Sequence, residues 1–263
     1  MPDLHPRNSG FAWRPSLPPY EAISSEQAAQ YDENGFFLFE RAFSDDEVDE
    51  VSAAIEPHEQ AGEAWLRQKE GGRHLIARAD AITFTIHLVA RSEVLKRFSR
   101  HPVLRSICRD TIGRGARLYW DQAVYKKPGT ESPFPWHQDN GYAFLEPQQY
   151  LTCWVALNDA TLDNGCPWVM PGLHRMGTLE HHVTRLGYEC LTPPALGAVA
   201  VPAKKGDIVV FSSLTPHRTG PNLTGEVRKS YILQYAGDGA RVRRSADDAG
   251  VVQDDAERQF RIS

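Results

Sequence analysis

The sequence predicts a mainly β chain with α decoration: a jelly-roll barrel carrying an N-terminal helical layer. Three observations predict it. The first half holds segments with apolar residues at helical spacing, the second half holds short β-branched and aromatic runs, and Gly- or Pro-bearing turns separate those runs. With 263 residues and 41% hydrophobic content, the chain can bury a sizeable core.

Residues 1–23 are rich in Pro, Ser and Arg and read as a poorly specified arm. Residues 24–240 read as one domain, with the helical layer at 24–115 and the barrel core at 116–236. Ser24-Ser25-Glu26-Gln27 starts a helix that Asn34-Gly35 ends, and the apolar run Phe36-Phe37-Leu38-Phe39 follows as a strand. Ser44-Asp45-Asp46-Glu47 is a capping box, opening a helix with Val48, Val51 and Ile55 on one face until Pro57 interrupts it. Residues 58–80 are polar and cluster Arg67, Lys69, Arg73, His74 and Arg78, which fits either a basic lid over a substrate or a solvated loop. Residues 92–113 read as helical again, with Gly113 as the stop.

From Ala116 the period changes. Strands are predicted at 117–125, 151–157, 166–170, 198–201, 207–211 and 229–235. The turns between them are Lys127-Pro128-Gly129, Asp163-Asn164-Gly165, Pro171-Gly172, Lys205-Gly206-Asp207 and Gly220-Pro221-Asn222. The tail, residues 241–263, is charged and reads as a loop with a short helix.

A net charge of −5 argues against nucleic acid or an acidic membrane as a partner. No apolar run is long enough to span a bilayer, and Met1-Pro2-Asp3-Leu4-His5 lacks the basic-then-apolar order of a secretory signal. Cys108, Cys153, Cys166 and Cys190 are widely spaced and read as thiols of a reducing compartment, so a cytoplasmic location is expected.

One constellation carries chemistry. His137 and Asp139 are two residues apart, so on an extended strand both side chains point to one face. His217, led in by the buried-strand pattern Asp207-Ile208-Val209-Val210-Phe211, would complete two nitrogens and one carboxylate oxygen. That set suits octahedral Fe(II) and leaves three adjacent positions open. Phe134, Pro135, Trp136, Tyr142 and Phe144 supply an apolar shell, and Arg228 opens the next strand, where its guanidinium could meet a carboxylate bidentately.

Five motifs then carry a family resemblance: Trp136-His137-Gln138-Asp139, Cys153-Trp154-Val155-Ala156-Leu157, Asp163-Asn164-Gly165-Cys166, Met170-Pro171-Gly172-Leu173-His174, and His217-Arg218-Thr219-Gly220 with Arg228. In this order the chain resembles the phytanoyl-CoA dioxygenase family, Fe(II)/2-oxoglutarate oxygenases on a cupin-like double-stranded β-helix. The resemblance covers residues 25–236. It implies His137, Asp139 and His217 as iron ligands, and Fe(II), 2-oxoglutarate and O2 as cofactor and co-substrates. Arg228 and Thr219 are implied on the distal carboxylate of 2-oxoglutarate, with Trp154 lining that pocket and His174 structural. A family lysine ahead of the first barrel strand has no counterpart in Ile82-Thr83-Phe84-Thr85-Ile86-His87, so Thr83, Thr85 or Gln122 is expected to substitute.

The resemblance implies hydroxylation of an unactivated C–H in a small molecule, with succinate and CO2 released. Desaturation, ring formation, epimerisation or endoperoxidation are alternative outcomes, and a non-catalytic cupin-like metal binder is the alternative class. Gln138, Asn140, Tyr142, Phe144, Trp168, His87, Arg73, His74 and Arg78 are the candidate substrate contacts. A basic lid would favour a carboxylate or a coenzyme A thioester; the aromatic residues would favour a neutral secondary metabolite.

Overall fold

The computed structural model describes residues 2–192, 195–245 and 247–262. The helical layer comes first in the chain. Helix α1 (Ser25–Asn34) leads into β1 (Phe36–Phe39), and α2 (Asp45–Arg67) precedes the short strands β2 (Arg73–His74), β3 (Ala77–Arg78) and β4 (Ile82–Ile86). Helices α3 (Glu93–Phe98) and α4 (Pro102–Thr111) follow. The barrel strands are β5 (Ala116–Lys126), β6 (Leu145–Glu146), β7 (Leu151–Ala156), β8 (Pro167–Val169), β9 (His182–Thr184) and β10 (Gly187–Glu189). After these come β11 (Val199–Ala200), β12 (Ile208–Ser212), β13 (His217–Thr219), β14 (Arg228–Gly237), β15 (Arg241–Val242) and β16 (Val251–Val252).

The large sheet runs β1-β12-β7-β14-β5-β4-β3-β2, and a second sheet, β11-β8-β13, faces it. Period-2 alternation assigns each strand two jobs. Ala123, Tyr125, Cys153, Val155, Ile208, Val210, Tyr231, Leu233 and Tyr235 pack against α1–α4 in the main core. The residues between them, Trp154, Ala156, Val209, Phe211 and Ile232, point into the space between the sheets and meet Val169 and Val201 of the opposite wall. The site lies on that inner face.

Two expectations about the helical layer are corrected here. Pro57 does not end its helix: α2 continues to Arg67 because its buried stripe continues, through Ile55, Glu59, Glu63 and Leu66. Two of those positions are carboxylates, which is why the stripe was invisible to an apolar count. Glu59 accepts from the Thr83 hydroxyl at 2.8 Å and pairs with Lys127 at 2.6 Å. The predicted helix over 92–113 is two, broken before Pro102.

Both termini are also more ordered than their composition suggested. Trp13 packs edge-on to His174 (4.4 Å between ring centres), and the amides of Glu21, Ala22 and Ile23 cap the Asp110 carboxylate at 2.7–3.2 Å. The tail forms strands in place of the expected short helix: β15 pairs with β16 and β6, and Phe260 and Ile262 are buried in the main core.

Candidate metal and co-substrate site

His137 and His217 exchange both backbone hydrogen bonds of an antiparallel bridge, at 2.9 and 2.8 Å, which sets their rings side by side with centres 4.2 Å apart. Asp139 is not on a regular strand as expected; it opens a 3-10 turn, Asp139–Gly141, and reaches the same spot. Its Oδ1 lies 4.0 Å from His137 Nε2 and 3.8 Å from His217 Nε2. One ligand atom from each of the three falls within 4.8 Å of the others. That spacing and the N, N, O donor set fit one divalent transition ion with open positions.

The surroundings fix which atoms are available. His137 Nδ1 faces the Pro135 carbonyl at 2.9 Å and His217 Nδ1 faces the Thr215 carbonyl at 3.0 Å, so each Nδ1–H is spent on backbone and each Nε2 lone pair is free. Burial, then the neighbouring His217, holds His137 down to about 3; burial takes His217 down to about 4. Both rings are therefore neutral donors at pH 7. Burial pushes Asp139 the other way, opposed by His137 and by hydrogen bonds from Thr152 and Gln234. The Thr152 hydroxyl donates to Asp139 Oδ2 at 2.5 Å, leaving Oδ1 toward the imidazoles. Rings of Phe134 (5.0 Å), Tyr142 (5.4 Å) and Phe211 (4.4 Å) close around the two histidines.

Further along the inner face sit two buried cations. Arg228 is 0% exposed; Nη1 donates to Ser230 Oγ at 2.7 Å, while Nε and Nη2 have no partner. Lys126, 1% exposed, is its direct cross-strand neighbour on β5. Lys126 Nζ donates to Thr219 Oγ1 at 3.1 Å and to the Gly220 carbonyl at 2.5 Å. Burial, then the Arg228 and Arg218 charges, pushes its ammonium well below the usual lysine value. Like charges opposite one another in a sheet repel, and buried charges without counter-ions are costly. Among the described residues no carboxylate pairs with either, so the pair fits a site that receives an anion with several oxygens. The Trp154 ring lies 5.3 Å from the Arg228 guanidinium and walls this end. Gly165, at φ +94°, lets its loop approach: a Cβ there would stand 2.6 Å from the Gly220 carbonyl oxygen that Lys126 uses.

Lys126 was missed by sequence reading because it ends a strand and abuts the turn Lys127-Pro128-Gly129. Counting by twos from Gln122 places it on the inner face, which was the available signal. The expected substitutes fare differently. Thr83 and Thr85 face α2, Thr83 being committed to Glu59 and Thr85 lying beside Gly62, so neither serves the pocket. Gln122 shares the inner face, where its Oε1 accepts from Trp120 Nε1 at 3.3 Å.

The substrate candidates divide in the same way. Gln138 is fully buried and committed, donating to the Gly177 and Leu214 carbonyls and accepting from Leu179 N–H. Asn140 bonds Thr178 and Leu145, and Phe144 stacks on His5 at 4.7 Å, so these three support loops rather than a ligand. His87 sits edge-on to Trp120 at 4.4 Å at the end of β4. Trp168 is 5.5 Å from the Arg218 guanidinium. Tyr142 stays against His137 and meets Tyr188 of β10 at 4.9 Å. The basic cluster splits: Arg67 pairs with Asp80 and Glu63, and Lys69 and His74 lie on Trp65, whereas Arg73 and Arg78 line a cavity with Lys126 and Phe134. His174 packs beneath α1, its Nε2 facing the Asp32 carbonyl at 3.3 Å, with burial holding it down to about 4.

A two-sheet jelly roll with two imidazoles and one carboxylate converging inside it defines the class of scaffold used by non-haem Fe(II) oxygenases. A model of the phytanoyl-CoA dioxygenase family matches residues 31–230, and the chain belongs to that family. Among relatives, it is 35% identical over 128 residues to a methylphosphonate hydroxylase of Gimesia maris, covering 47% of this chain and 46% of that protein. The chain thus spans about half the length of that relative. It is 26% identical over 236 residues to an ectoine dioxygenase of Bordetella bronchiseptica, covering 82% of this chain and 76% of the relative. Among solved structures, the non-haem α-ketoglutarate-dependent carbocyclase SnoK from nogalamycin biosynthesis superposes with a TM-score of 0.75 at 22% identity, over 92% of this chain and 97% of that one. The fold is shared.

Proposed function

We propose that this chain is an Fe(II)/2-oxoglutarate-dependent dioxygenase that hydroxylates a C–H bond of a small molecule. The observation that carries the reading is the pairing of an N, N, O metal group with two buried, unneutralised cations on the same inner face. A metal-binding protein without turnover has no use for Arg228 and Lys126. A 2-oxo diacid uses both ends: its oxo-acid end suits the open positions beside His137, Asp139 and His217, and its far carboxylate suits Arg228, Lys126 and Thr219.

With the ion and co-substrate bound, the chemistry supplied is oxidative decarboxylation of 2-oxoglutarate by O2, coupled to substrate oxidation, with succinate and CO2 released. The chain's own part is positional. The Pro135 and Thr215 carbonyls lock the imidazole tautomers, and the Thr152 hydroxyl holds Asp139 to one free oxygen. Arg228 and Lys126 orient the diacid before oxygen arrives. Phe134, Tyr142 and Phe211 keep bulk water from the metal face. Hydroxylation, ring formation and epimerisation differ in which substrate atom these walls present, so the ligand set is common to all three. No helix among the described residues is long and apolar enough to cross a membrane.

The test is turnover. Purified protein with Fe(II), 2-oxoglutarate and air should release succinate above a metal-free control, and Asp139→Ala should abolish the release. Wild-type protein giving no succinate with any of a broad set of small metabolites would count against the reading.

A further inference from the structure

Two cavities flank Phe134, share Pro133, Phe134 and Leu186 as walls, and carry positive charge. Arg73, Arg78 and Lys126 line the first, with no acidic residue in its lining. The second, about 270 Å³, is lined by Arg185 and Arg218 with Glu189 as its single carboxylate. Five cations against one acid is a sharp local excess in a chain of net charge −5. The roof is built from two hairpins. Arg73 donates to the Arg185 carbonyl, tying the β2–β3 hairpin to the β9–β10 hairpin, and Gly187 of β10 fits where a Cβ would press Tyr142, Ile76 and Phe134 at 3.1–3.4 Å.

Three of the four arginines are unspent. Arg73 uses its guanidinium on the Leu75 and Arg185 carbonyls, but Arg78, Arg185 and Arg218 are in no salt bridge among the described residues. Arg218 lies 5.1 Å from the Trp136 ring and 5.5 Å from the Trp168 ring, and its Nε is buried without a partner. A stacked guanidinium with idle donors is preorganised for a planar or tetrahedral oxyanion. Phe134, the wall the two cavities share, packs on the His137 ring at 5.0 Å and so sets both cavities beside the metal group, none of whose residues lines them.

We infer that the substrate is a small metabolite bearing an oxyanion, a carboxylate or a phosphonate, anchored in this groove by Arg78 and Arg218 on either side of Phe134. This rests on the oxygenase reading for its chemistry but on the groove alone for its binding. Two cations at separate points fix both position and direction, so the C–H bond presented beyond Phe134 is selected by its distance from the anion. The volume of the larger cavity, near the lower end of ordinary ligand pockets, sets the size at a few carbons beyond the anchor.

The experiment uses full-length protein, anaerobic and saturated with Fe(II) and 2-oxoglutarate so that Arg228 and Lys126 are occupied. Butyrate, propylphosphonate and neutral butyramide are titrated separately, read by intrinsic tryptophan fluorescence, to which Trp136 and Trp168 contribute, and independently by calorimetry. At least one oxyanion should bind ten times or more tightly than butyramide, weakening with salt, and the tighter of the two identifies the head group. Arg78→Gln and Arg218→Gln should each weaken that binding at least tenfold, while Arg218→Lys, which keeps the charge but not the planar fork, should lose less than Arg218→Gln. Arg78 is exposed, so its variant folds independently of the outcome. Butyramide binding as tightly as the anions, or both glutamine variants binding them like wild type, would overturn the proposal. The visible chelate band of the same samples reports the co-substrate separately: its failure to form sinks the oxygenase reading, and its slower formation in Arg78→Gln with unchanged anion affinity would reassign the groove to 2-oxoglutarate entry.

Discussion

The inner face of the barrel and the groove at its mouth are both cationic, yet they are built by different means. Arg228 and Lys126 stand on the long strands β14 and β5, face to face by register and 0–1% exposed. Arg73, Arg78 and Arg185 stand on two-residue and three-residue hairpin strands or their turn, partly in solvent. Register on paired strands fixes a side chain to one face, whereas a hairpin can be rebuilt without disturbing the core. The deep site therefore suits a co-substrate that never changes, and the mouth suits a substrate that differs from one relative to another.

Variants of the deep site should separate cleanly from those of the mouth. The largest effect is expected for Asp139→Ala and His217→Ala, which should reduce bound Fe(II), counted by metal analysis, to a small fraction of one per chain. Mouth variants such as Arg78→Gln should leave that stoichiometry alone; a loss there would erase the distinction. Next comes Arg228→Lys, which keeps the charge but loses the two-pronged geometry. Truncating or mismatching a buried charge pair costs about 2–5 kcal/mol, so 2-oxoglutarate affinity measured by anaerobic titration should fall about thirty-fold or more with iron retained. Lys126→Met removes the second cation, a charge-assisted contact worth about 1.5–3 kcal/mol, and should weaken the diacid roughly ten-fold or more. A Lys126→Met protein that binds 2-oxoglutarate normally would mean that Arg228 suffices alone.

Thr152→Val is a smaller change. It removes the hydroxyl that occupies Asp139 Oδ2, and outer partners of metal ligands typically carry ten-fold or more in affinity. Competition with a chelator should show about a ten-fold weaker iron site, with 2-oxoglutarate binding at saturating iron little changed.

Acid stability gives the mildest test. Burial holds His137 to about 3, and His174, His181 and His217 to about 4, all below the ordinary value of 6.5. Unfolding lets these rings take up protons, so the stability they allow is complete above pH 6.5 and declines as pH falls toward 4. Asp121, raised to about 6 by burial, and Asp139, also raised by burial, act in the opposite sense. The four imidazoles outnumber the two carboxyls, so the unfolding temperature of metal-free protein should drop between pH 6.5 and 4.5. Replacing His174 by Phe should flatten that slope, since this ring is not one of the three metal-group residues; an unchanged slope would show that the neutral imidazoles do not govern it.

Much of this was legible in the sequence, for identifiable reasons. The helix start at Ser24 and the capping box at Ser44 are local chemistry, and both form as read, Ser24 closing a capping box of its own with Gln27. The six runs with strong β patterns correspond to β5, β7, β8, β11, β12 and β14 within a residue or two, whereas the short strands β6, β9, β10, β13, β15 and β16 carried too few patterned residues to be read. What was not legible is long-range pairing. Glu59 and Glu63 extend a buried helical stripe only because Lys127, Thr83 and the Asp80 amide arrive from elsewhere. Gln138 and Asn140 flank the metal group in sequence, and that proximity suggested substrate contact. Their amides instead satisfy the loops at 177–179 and 214 and the hydroxyl of Thr178. Lys126 was hidden for the opposite reason: its partners Thr219 and Gly220 are over ninety residues away.

The most direct test of the central claim is anaerobic mixing of the protein with Fe(II) and 2-oxoglutarate, followed by visible absorption. A chelate held jointly by the metal group and the buried cations predicts a charge-transfer band at one equivalent of iron, absent in Asp139→Ala and needing far more 2-oxoglutarate in Arg228→Lys. Wild-type protein that binds iron yet develops no band at saturating 2-oxoglutarate would contradict the account.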